Sequence, residues 1–326
     1  MKFLLRRLGF YVFTGWAAVT LNFFIARLLP GDPVQSLINK YQGRLSTDAT
    51  NSLRVLFGLN THTTVWQDYL TYWGNLLHGD LGISFAYFPT PVSAVLAQSL
   101  PWTLTLGFVC TILGFALGTL AGVGLGWRRG TWLDLLLPVA NFFSAIPYFW
   151  LGLIAIALFG VALPLFPTSG GYDGGLIPSF SLEFIGSALY HAALPALTIV
   201  LASVAGWILG MRNMMVTVSS EDYVTVAQAK GLPERRVMFG YAARNAVLPS
   251  ISGFALSLGF IVGGTLVTEI VFSYPGIGYV LFQAVGSKDY SLMQGVFLIV
   301  TLAVLVANMA ADFAYVFLDP RIRQEG

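Results

Sequence analysis

Long apolar stretches alternate with polar ones along the whole chain, and this alternation is the main structural signal in the sequence. Six of the apolar stretches are long enough to cross roughly 30 Å of hydrocarbon as a helix. They occupy about residues 9–29, 103–125, 133–162, 195–211, 248–267 and 292–316. The pattern therefore predicts an all-α integral membrane protein with about six transmembrane helices.

The composition agrees with this prediction. The 326 residues are 56% hydrophobic and only 10% charged, whereas about a quarter of the residues in soluble domains carry charge. A net charge of +2 gives no reason to expect nucleic acid as a partner, and membrane lipid is the expected surrounding. The single cysteine, Cys110, and three scattered histidines show no ligand spacing, so no metal site is predicted.

The basic residues predict which side of the membrane each loop faces. The proposed inner side carries 12 of the 17 lysines and arginines, and the outer side carries Arg27, Lys40, Arg44, Arg54 and Lys288. This asymmetry follows the positive-inside rule. We therefore expect a multi-pass membrane protein with both termini in the cytoplasm.

The predicted boundaries divide the chain into four parts. Residues 1–29 form the N-terminal end and the first span, interpreted as a retained signal anchor, and residues 30–101 form a small helical extracytoplasmic subdomain. Within this subdomain we predict a capped helix ending at residue 57 and an aromatic-rich helix over residues 64–77, with a loose loop as the alternative. Residues 102–318 form the transmembrane core, including a cytoplasmic loop at 214–247, and residues 319–326 form a cytoplasmic tail.

Two of the predicted spans carry unusual residues. The second has glycine at every fourth position, a spacing typical of a close helix-packing face; these residues are Gly114, Gly118, Gly122 and Gly126. The third contains prolines and aromatic residues, which favour either the wall of a solute pathway or a kinked helix in the protein interior. Its candidate pathway residues are Pro147, Tyr148, Phe149 and Trp150.

A long polar segment, residues 219–249, separates the fourth and fifth spans, and we call it the polar hairpin. Ser219 or Ser220 is predicted to cap a first helix, and Gly231 to end it in a left-handed conformation. A second, basic helix follows Pro233. The small residues Ala227, Ala229 and Gly231 predict a shallow side on which another protein could lie, with a solvated cytoplasmic loop as the alternative.

The motifs of common enzymes are missing from the sequence. It contains no GxxxxGK[ST] phosphate-binding loop, no HExxH metal motif and no GxSxG nucleophile motif. The chain is therefore predicted to be non-catalytic, with no cofactor of its own. Few charges lie within the spans, which disfavours an ion-coupled secondary transporter acting alone but leaves it as an alternative.

Several segments together resemble the permeases of binding-protein-dependent ABC importers, in the form found in the dipeptide, oligopeptide and nickel group. The segment AQAKGLPERRV within the polar hairpin resembles the cytoplasmic EAA loop of that family. LLPGDP, GDLGIS, IPYFWLGL, EDYVTVAQAKG, FSYPGIG, KDYSLMQG and DPRIR occur in the same order, so the resemblance covers nearly the whole chain. Ala227 and Gly231 match the alanine and glycine of the general signature, whereas Thr225 and Val226 depart from its glutamate and first alanine.

The resemblance implies a location in the bacterial or archaeal plasma membrane, a fold, partners and residue roles. It implies the type I ABC importer permease fold, a second homologous permease subunit, and two ATPase subunits, or one of each of two kinds, that bind ATP and Mg. An extracytoplasmic binding protein would deliver the solute, most often a di- or oligopeptide, with oligosaccharides or nickel complexes as alternatives. The implied ATPase-coupling residues are Glu221, Asp222, Tyr223, Ala227, Ala229, Lys230, Gly231, Leu232, Arg235 and Arg236. Tyr172 and Asp173, in a glycine-rich outer loop, are the candidate docking residues for the binding protein.

Overall fold

The computed structural model describes residues 2–28 and 64–318, and most of these residues are helical. The predicted capped helix ending at residue 57 and the tail at 319–326 lie outside the described residues. The helices are α1 (Lys2–Leu28), α2 (Val65–Leu77), α3 (Val92–Trp127), α4 (Leu136–Ala145), α5 (Tyr148–Ala155), α6 (Leu182–Ser219), α7 (Asp222–Ala229), α8 (residues 234–246), α9 (Leu248–Gly259), α10 (Ile261–Gly264), α11 (Leu266–Val271), α12 (Ile277–Gly286) and α13 (Tyr290–Leu318).

Among the described residues, four helices are long and apolar enough to cross a membrane. The corresponding segments are Arg6–Ile25 of α1, all of α3, all of α6, and Tyr290–Met309 of α13. A fifth candidate is a bent pair formed by Trp132–Ala145 and Tyr148–Ala162. The all-α membrane fold predicted from the sequence is therefore confirmed, although two of the six predicted spans are not continuous helices.

The third predicted span is broken at Pro147. The two halves of the bent pair meet at an angle of 96°, and Ile146 is extended, with φ −84° and ψ 126°. Proline disfavours the helical conformation of the residue before it and lacks the N–H that would continue the helix. A π-helical turn, Ile156–Ala162, then follows α5.

The fifth predicted span is divided into three short helices, α9, α10 and α11, with interruptions at Phe260 and Thr265. Gly259, Gly263 and Gly264 lie at or beside these interruptions. Glycine is a poor helix former because it loses the most conformational freedom on folding. Glu269 of α11 is fully buried, and its Oε1 accepts a hydrogen bond of 2.8 Å from the hydroxyl of Thr265.

Two other helices are longer than the predicted spans. In both cases the helix continues through a proline that was predicted to mark the start of the span or to precede it. Pro195 was predicted to begin the fourth span, yet it lies inside α6, which starts after Ser181. The hydroxyl of Ser181 accepts a hydrogen bond of 3.2 Å from the N–H of Phe184 and caps the helix. Pro101 similarly lies inside α3, which begins at Val92.

The described chain forms two compact units. The first contains the described residues of Met1–Thr103 together with Pro275–Met309, and the second contains Leu104–Tyr274 together with the described residues of Ala310–Asp319. In the first unit, Asn22 of α1 donates a hydrogen bond of 2.8 Å to the carbonyl oxygen of Gln294 in α13.

The first unit is also held together by Asp289, which is fully buried just before α13. Its Oδ2 accepts hydrogen bonds from the Ser84 hydroxyl (2.6 Å) and the Ala86 N–H (2.9 Å). Burial raises the pKa of the Asp289 carboxyl, and these hydrogen bonds oppose the rise. The carboxyl group thereby fastens the segment that precedes α3 to the start of α13.

Candidate functional site: the polar hairpin

The polar hairpin folds as α7, a tight turn and α8. Gly231 ends α7 with φ +73°, a left-handed conformation that glycine adopts without steric cost, as predicted. The predicted serine cap was wrong, because α7 begins after Glu221, which makes no side-chain cap. The hydroxyls of Ser219 and Ser220 instead donate to the carbonyl oxygens of Met215 and Thr217, at the end of α6.

One side of α7 is part of an apolar core. Val224 and Ala227, three residues apart on the same helix face, are 0% and 2% exposed. They pack with residues of α3, α6 and α8, namely Val123, Met211, Met215, Val218, Val237, Ala242, Ala243 and Ala246. The shallow outer side predicted from the small residues was therefore wrong for Ala227, whose side chain points into the chain's own core.

The other side of the hairpin is open. The remaining predicted coupling residues are exposed, except Leu232, which is half-buried and packs against the core; the exposed ones are Glu221, Asp222, Tyr223, Ala229, Lys230, Gly231, Arg235 and Arg236. Larger apolar side chains are exposed with them, among them Val226 and Phe239. The surface therefore combines both signs of charge with aromatic and aliphatic groups, a composition suited to contact with another protein.

Hydrogen bonds that the sequence did not indicate hold the hairpin closed. The side-chain amide of Asn245 donates to the hydroxyl of Tyr223 (2.9 Å) and to the carbonyl oxygen of Tyr241 (3.1 Å). The indole N–H of Trp127, at the end of α3, donates to Glu234 Oε1 at 2.8 Å. Local sequence spacing could not reveal the first and the last of these bonds, since their partners are 22 and 107 residues apart.

The predicted glycine ridge lies directly against α6. A Cβ atom added to Gly118 would lie 2.4 Å from Trp207 Cβ, and one added to Gly126 would lie 2.4 Å from Met215 Cβ. A Cβ atom added to Gly122 would lie 2.7 Å from the Ile208 carbonyl oxygen. Such distances leave no room for a side chain, so the two helix backbones approach as closely as in small-xxx-small membrane contacts.

The direction of the two helices brings this close contact to the hairpin. Gly114 faces Ser203, whereas Gly126, twelve residues later, faces Met215. Residue numbers rise together along both helices, so α3 and α6 run in the same direction. Both helices consequently end at the hairpin, whose apolar core includes Val123 of α3 and Met211 of α6.

The candidate pathway residues lie at the bend of the broken third span. Pro147 precedes α5, and Tyr148, Phe149 and Trp150 in its first turn are exposed. Leu151, Gly152 and Ala155 of the same helix are buried, and Gly152 lies against Phe272 and Val271 at the end of α11. The three aromatic rings are thus presented on a surface that the described part of this chain leaves uncovered.

The candidate docking residues are fixed to the start of α6. Tyr172 packs its ring against Phe184, with centroids 5.1 Å apart. Asp173 Oδ2 accepts a hydrogen bond of 2.7 Å from the hydroxyl of Ser187, which in turn accepts one of 2.9 Å from the Asp173 N–H. His191 Nε2 lies 3.9 Å from Asp173 Oδ1. Within the described residues, no three His, Cys, Asp or Glu side chains come together in a group that could hold a metal ion.

Comparison with known families gives this arrangement a context. Residues 114–324, which include the glycine ridge and the polar hairpin, match the family described as "Binding-protein-dependent transport system inner membrane component". The chain belongs to this family. It is thus a membrane permease component of an ABC transport system, as the sequence motifs predicted.

Similar permeases match over almost their entire length. The Di/tripeptide transport system permease protein DppB of Pseudomonas aeruginosa is 36% identical, over 100% of this chain and 99% of that protein. The Oligopeptide transport system permease protein AppB of Bacillus subtilis is 34% identical, over 93% of each chain. The Dipeptide transport system permease protein DppB of Escherichia coli is 32% identical, over 100% and 99%.

The fold of the permease is similar to a chain from a solved transporter. An inward-facing structure of the MetNI methionine ABC transporter aligns with a TM-score of 0.55 at 16% identity. The alignment covers 69% of this permease and 96% of the MetNI chain. At this identity the comparison concerns the fold alone, and it agrees with the predicted type I importer architecture.

Proposed function

We propose that this permease imports short peptides and that its polar hairpin receives movement from ATPase subunits. The observation that carries the proposal is the two-sided hairpin. Its inner side packs with α3 and α6 in one apolar core, and its outer side exposes charged and aromatic groups. A partner that pushes on the outer side would therefore move two membrane helices that are in close backbone contact.

The same arrangement supports the partners that we propose for this transporter. The chain has no nucleotide-binding motif of its own, so two ATPases, or one of each of two kinds, would bind ATP and Mg below the hairpin. A second, homologous permease would complete the pathway beside Tyr148, Phe149 and Trp150. An extracytoplasmic binding protein would deliver the solute and dock near Tyr172 and Asp173, with both termini of the permease in the cytoplasm.

Peptides are the proposed solute because all three relatives described above are named for di-, tri- or oligopeptide transport. No comparison favours oligosaccharides, nickel complexes or an ion-coupled carrier. Competition experiments test the choice: di- and tripeptides are expected to reduce uptake of a labelled dipeptide by the assembled transporter, and oligosaccharides and nickel salts are not. Strong competition by an oligosaccharide alone would contradict the peptide assignment.

The coupling role is tested by the substitution Gly231→Glu in the transporter assembled with its partner subunits. The glutamate would place a charged side chain on the open side of the turn, and the left-handed backbone would strain any residue with a Cβ atom. We expect ATP hydrolysis to continue while peptide uptake falls at least tenfold. Uptake equal to that of the unmodified transporter would contradict the role of the hairpin.

A matched control introduces the same charge elsewhere. Thr71→Glu adds a carboxylate to an exposed position of α2, in the other compact unit. Uptake and ATP hydrolysis are expected to stay unchanged in this variant. Loss of uptake in both variants would show that added charge, and not the site of the substitution, is responsible.

A further inference from the structure

The short helix α2 has three different faces. Tyr69, Tyr72 and Leu76 form a buried or half-buried face. Gln67, Thr71 and Asn75, at four-residue intervals, form an exposed polar face. Trp66, Leu70 and Leu77 form a third face, which is apolar yet 65%, 53% and 79% exposed.

The buried face rests on the last turns of α1. The hydroxyls of Tyr69 and Thr20 are 2.8 Å apart and share a hydrogen bond. Phe23 contacts the rings of Tyr69 and Tyr72, with centroid distances of 5.3 and 5.4 Å. The first unit therefore holds α2 alongside α1, and does not extend it freely from the end of the span.

The distance along α1 from Thr20 to the end of the apolar run indicates how deep in the membrane this contact lies. The apolar run of α1 continues to Ala26, directly before Arg27, and Ala26 is six residues beyond Thr20, which corresponds to about 9 Å at the helical rise. Amphipathic helices that lie in a membrane interface bury their apolar face about 5–10 Å into the boundary between headgroups and acyl chains. Residues on α1 at the same level, including Leu21 and Ile25, are also exposed and apolar, so at this level both helices present uncovered apolar side chains.

The charges near α2 fit the same position. The helix carries one charged residue, Asp68, which is ion-paired with Arg27 in the last turn of α1. The guanidinium of Arg27 also lies 4.8 Å from the centre of the Phe23 ring. No charge lies on the face formed by Trp66, Leu70 and Leu77, and tryptophan is enriched where membrane meets water.

We propose that α2 is an interfacial membrane helix, with its bare apolar face inserted in bilayer lipid and its polar face in water. The helix thus fixes the outer end of α1 at the membrane surface. The partner is the boundary region of the bilayer itself, independent of which solute is transported.

Two neighbouring cysteine substitutions test this placement. The only natural cysteine, Cys110, is buried, so Cys110→Ala supplies a background in which Leu70→Cys or Thr71→Cys can be labelled with an environment-sensitive fluorophore. Each variant of the full chain, assembled with its partners, is reconstituted in phosphatidylcholine liposomes. Quenching is then measured with lipid spin-labelled near the headgroup end of the acyl chain, and separately with aqueous iodide.

We expect the label at position 70 to be quenched several-fold more by the spin-labelled lipid than the label at position 71, and iodide to show the reverse order. Strong iodide quenching at both positions would overturn the proposal, because α2 would then be solvated on both faces. Protection of position 70 from both quenchers would also overturn it, since a protein partner would then cover the face. Lipid quenching of equal strength at both positions would contradict the assigned orientation.

Discussion

The two ends of α6 hold their neighbouring segments by different means. The helix has 38 residues and spans about 57 Å at the helical rise. At its C-terminal end the polar hairpin is fixed by apolar packing of Val224 and Ala227. At its N-terminal end the loop over residues 163–181 is fixed largely by hydrogen bonds, such as those between Ser187 and Asp173, with the ring of Tyr172 packed against Phe184.

This difference suits the roles that we propose for the two ends. Apolar packing is dense and non-directional, so displacement of the hairpin is transmitted to every helix in its core. The loop depends on a few directional contacts, including one of 3.0 Å from the Gly170 N–H to the Phe272 carbonyl oxygen. Each such contact contributes only about 1 kcal/mol to stability, so a docking protein could reposition the loop without disturbing the helix.

The largest expected effect comes from placing a charge in the hairpin core. Val224→Asp buries a carboxylate among apolar side chains, and an uncompensated buried charge costs about 3–5 kcal/mol. The matched substitution Val226→Asp, at a position on the same helix that is 52% exposed, should change stability by about 0.5 kcal/mol or less. Thermal unfolding of the purified chain in detergent measures both, and equal losses would contradict the assigned orientation of α7.

A smaller effect is expected where α3 contacts α6. Gly122→Ala would place a Cβ 2.7 Å from the Ile208 carbonyl oxygen and from Met211 Cβ, and such overpacking costs about 1–3 kcal/mol. Gly124→Ala, two residues along the same helix, meets nothing within 4 Å. This control should be neutral or gain up to about 1 kcal/mol in stability, because alanine favours helix more than glycine does. If the unfolding temperature fell equally in both variants, the loss of stability would come from reduced helix flexibility and not from a clash between α3 and α6.

The glycine ridge and Gly231 illustrate what could be predicted from the sequence. Both depend on local rules: a four-residue period places Gly114 to Gly126 on one face, and a glycine directly after a polar helix favours a left-handed turn. Hydrophobic length likewise predicted α1, α3 and α13, because a membrane span requires a fixed number of apolar residues.

Other features depended on contacts between distant residues and were therefore missed. The inward orientation of Ala227 follows from its packing with α3 and α6, and composition alone made it resemble an exposed small residue. The continuation of α6 through Pro195 and the break of the third span at Pro147 could not be distinguished, since proline is tolerated in membrane helices when neighbouring groups satisfy the freed carbonyl.

The turn of the hairpin gives a third prediction. Gly231→Ala forces a residue with a Cβ atom into a left-handed conformation, at a cost of about 1–2 kcal/mol. Gly231→Asn should lose less stability than Gly231→Ala, because asparagine adopts the left-handed conformation more readily than alanine does. Gly240→Ala is the control, since Gly240 lies in a helical segment with open space at its Cβ position. The unfolding temperature of each variant measures the loss of stability. If Gly240→Ala lowered it as much as Gly231→Ala, the left-handed backbone at Gly231 would not be the cause.

The smallest expected effect is at the loop end, where Ser187→Ala removes the hydroxyl that both accepts from the Asp173 N–H and donates to its carboxylate. The two lost hydrogen bonds contribute about 0.5–1.5 kcal/mol each to local stability, so hydrogen exchange of the Asp173 amide should increase at least about fivefold, since 1.4 kcal/mol corresponds to a factor of ten. The Gly231 N–H, which donates to the Gln228 carbonyl oxygen at 2.9 Å, should exchange at an unchanged rate, because it lies at the other end of α6. Thr217→Ala, which removes an exposed hydroxyl bonded within α6 near the hairpin, should leave the Asp173 amide unaffected. If Ser187→Ala instead accelerates exchange at both ends, the hairpin and the loop open as one cooperative unit, and the independence of the two ends of α6 is wrong.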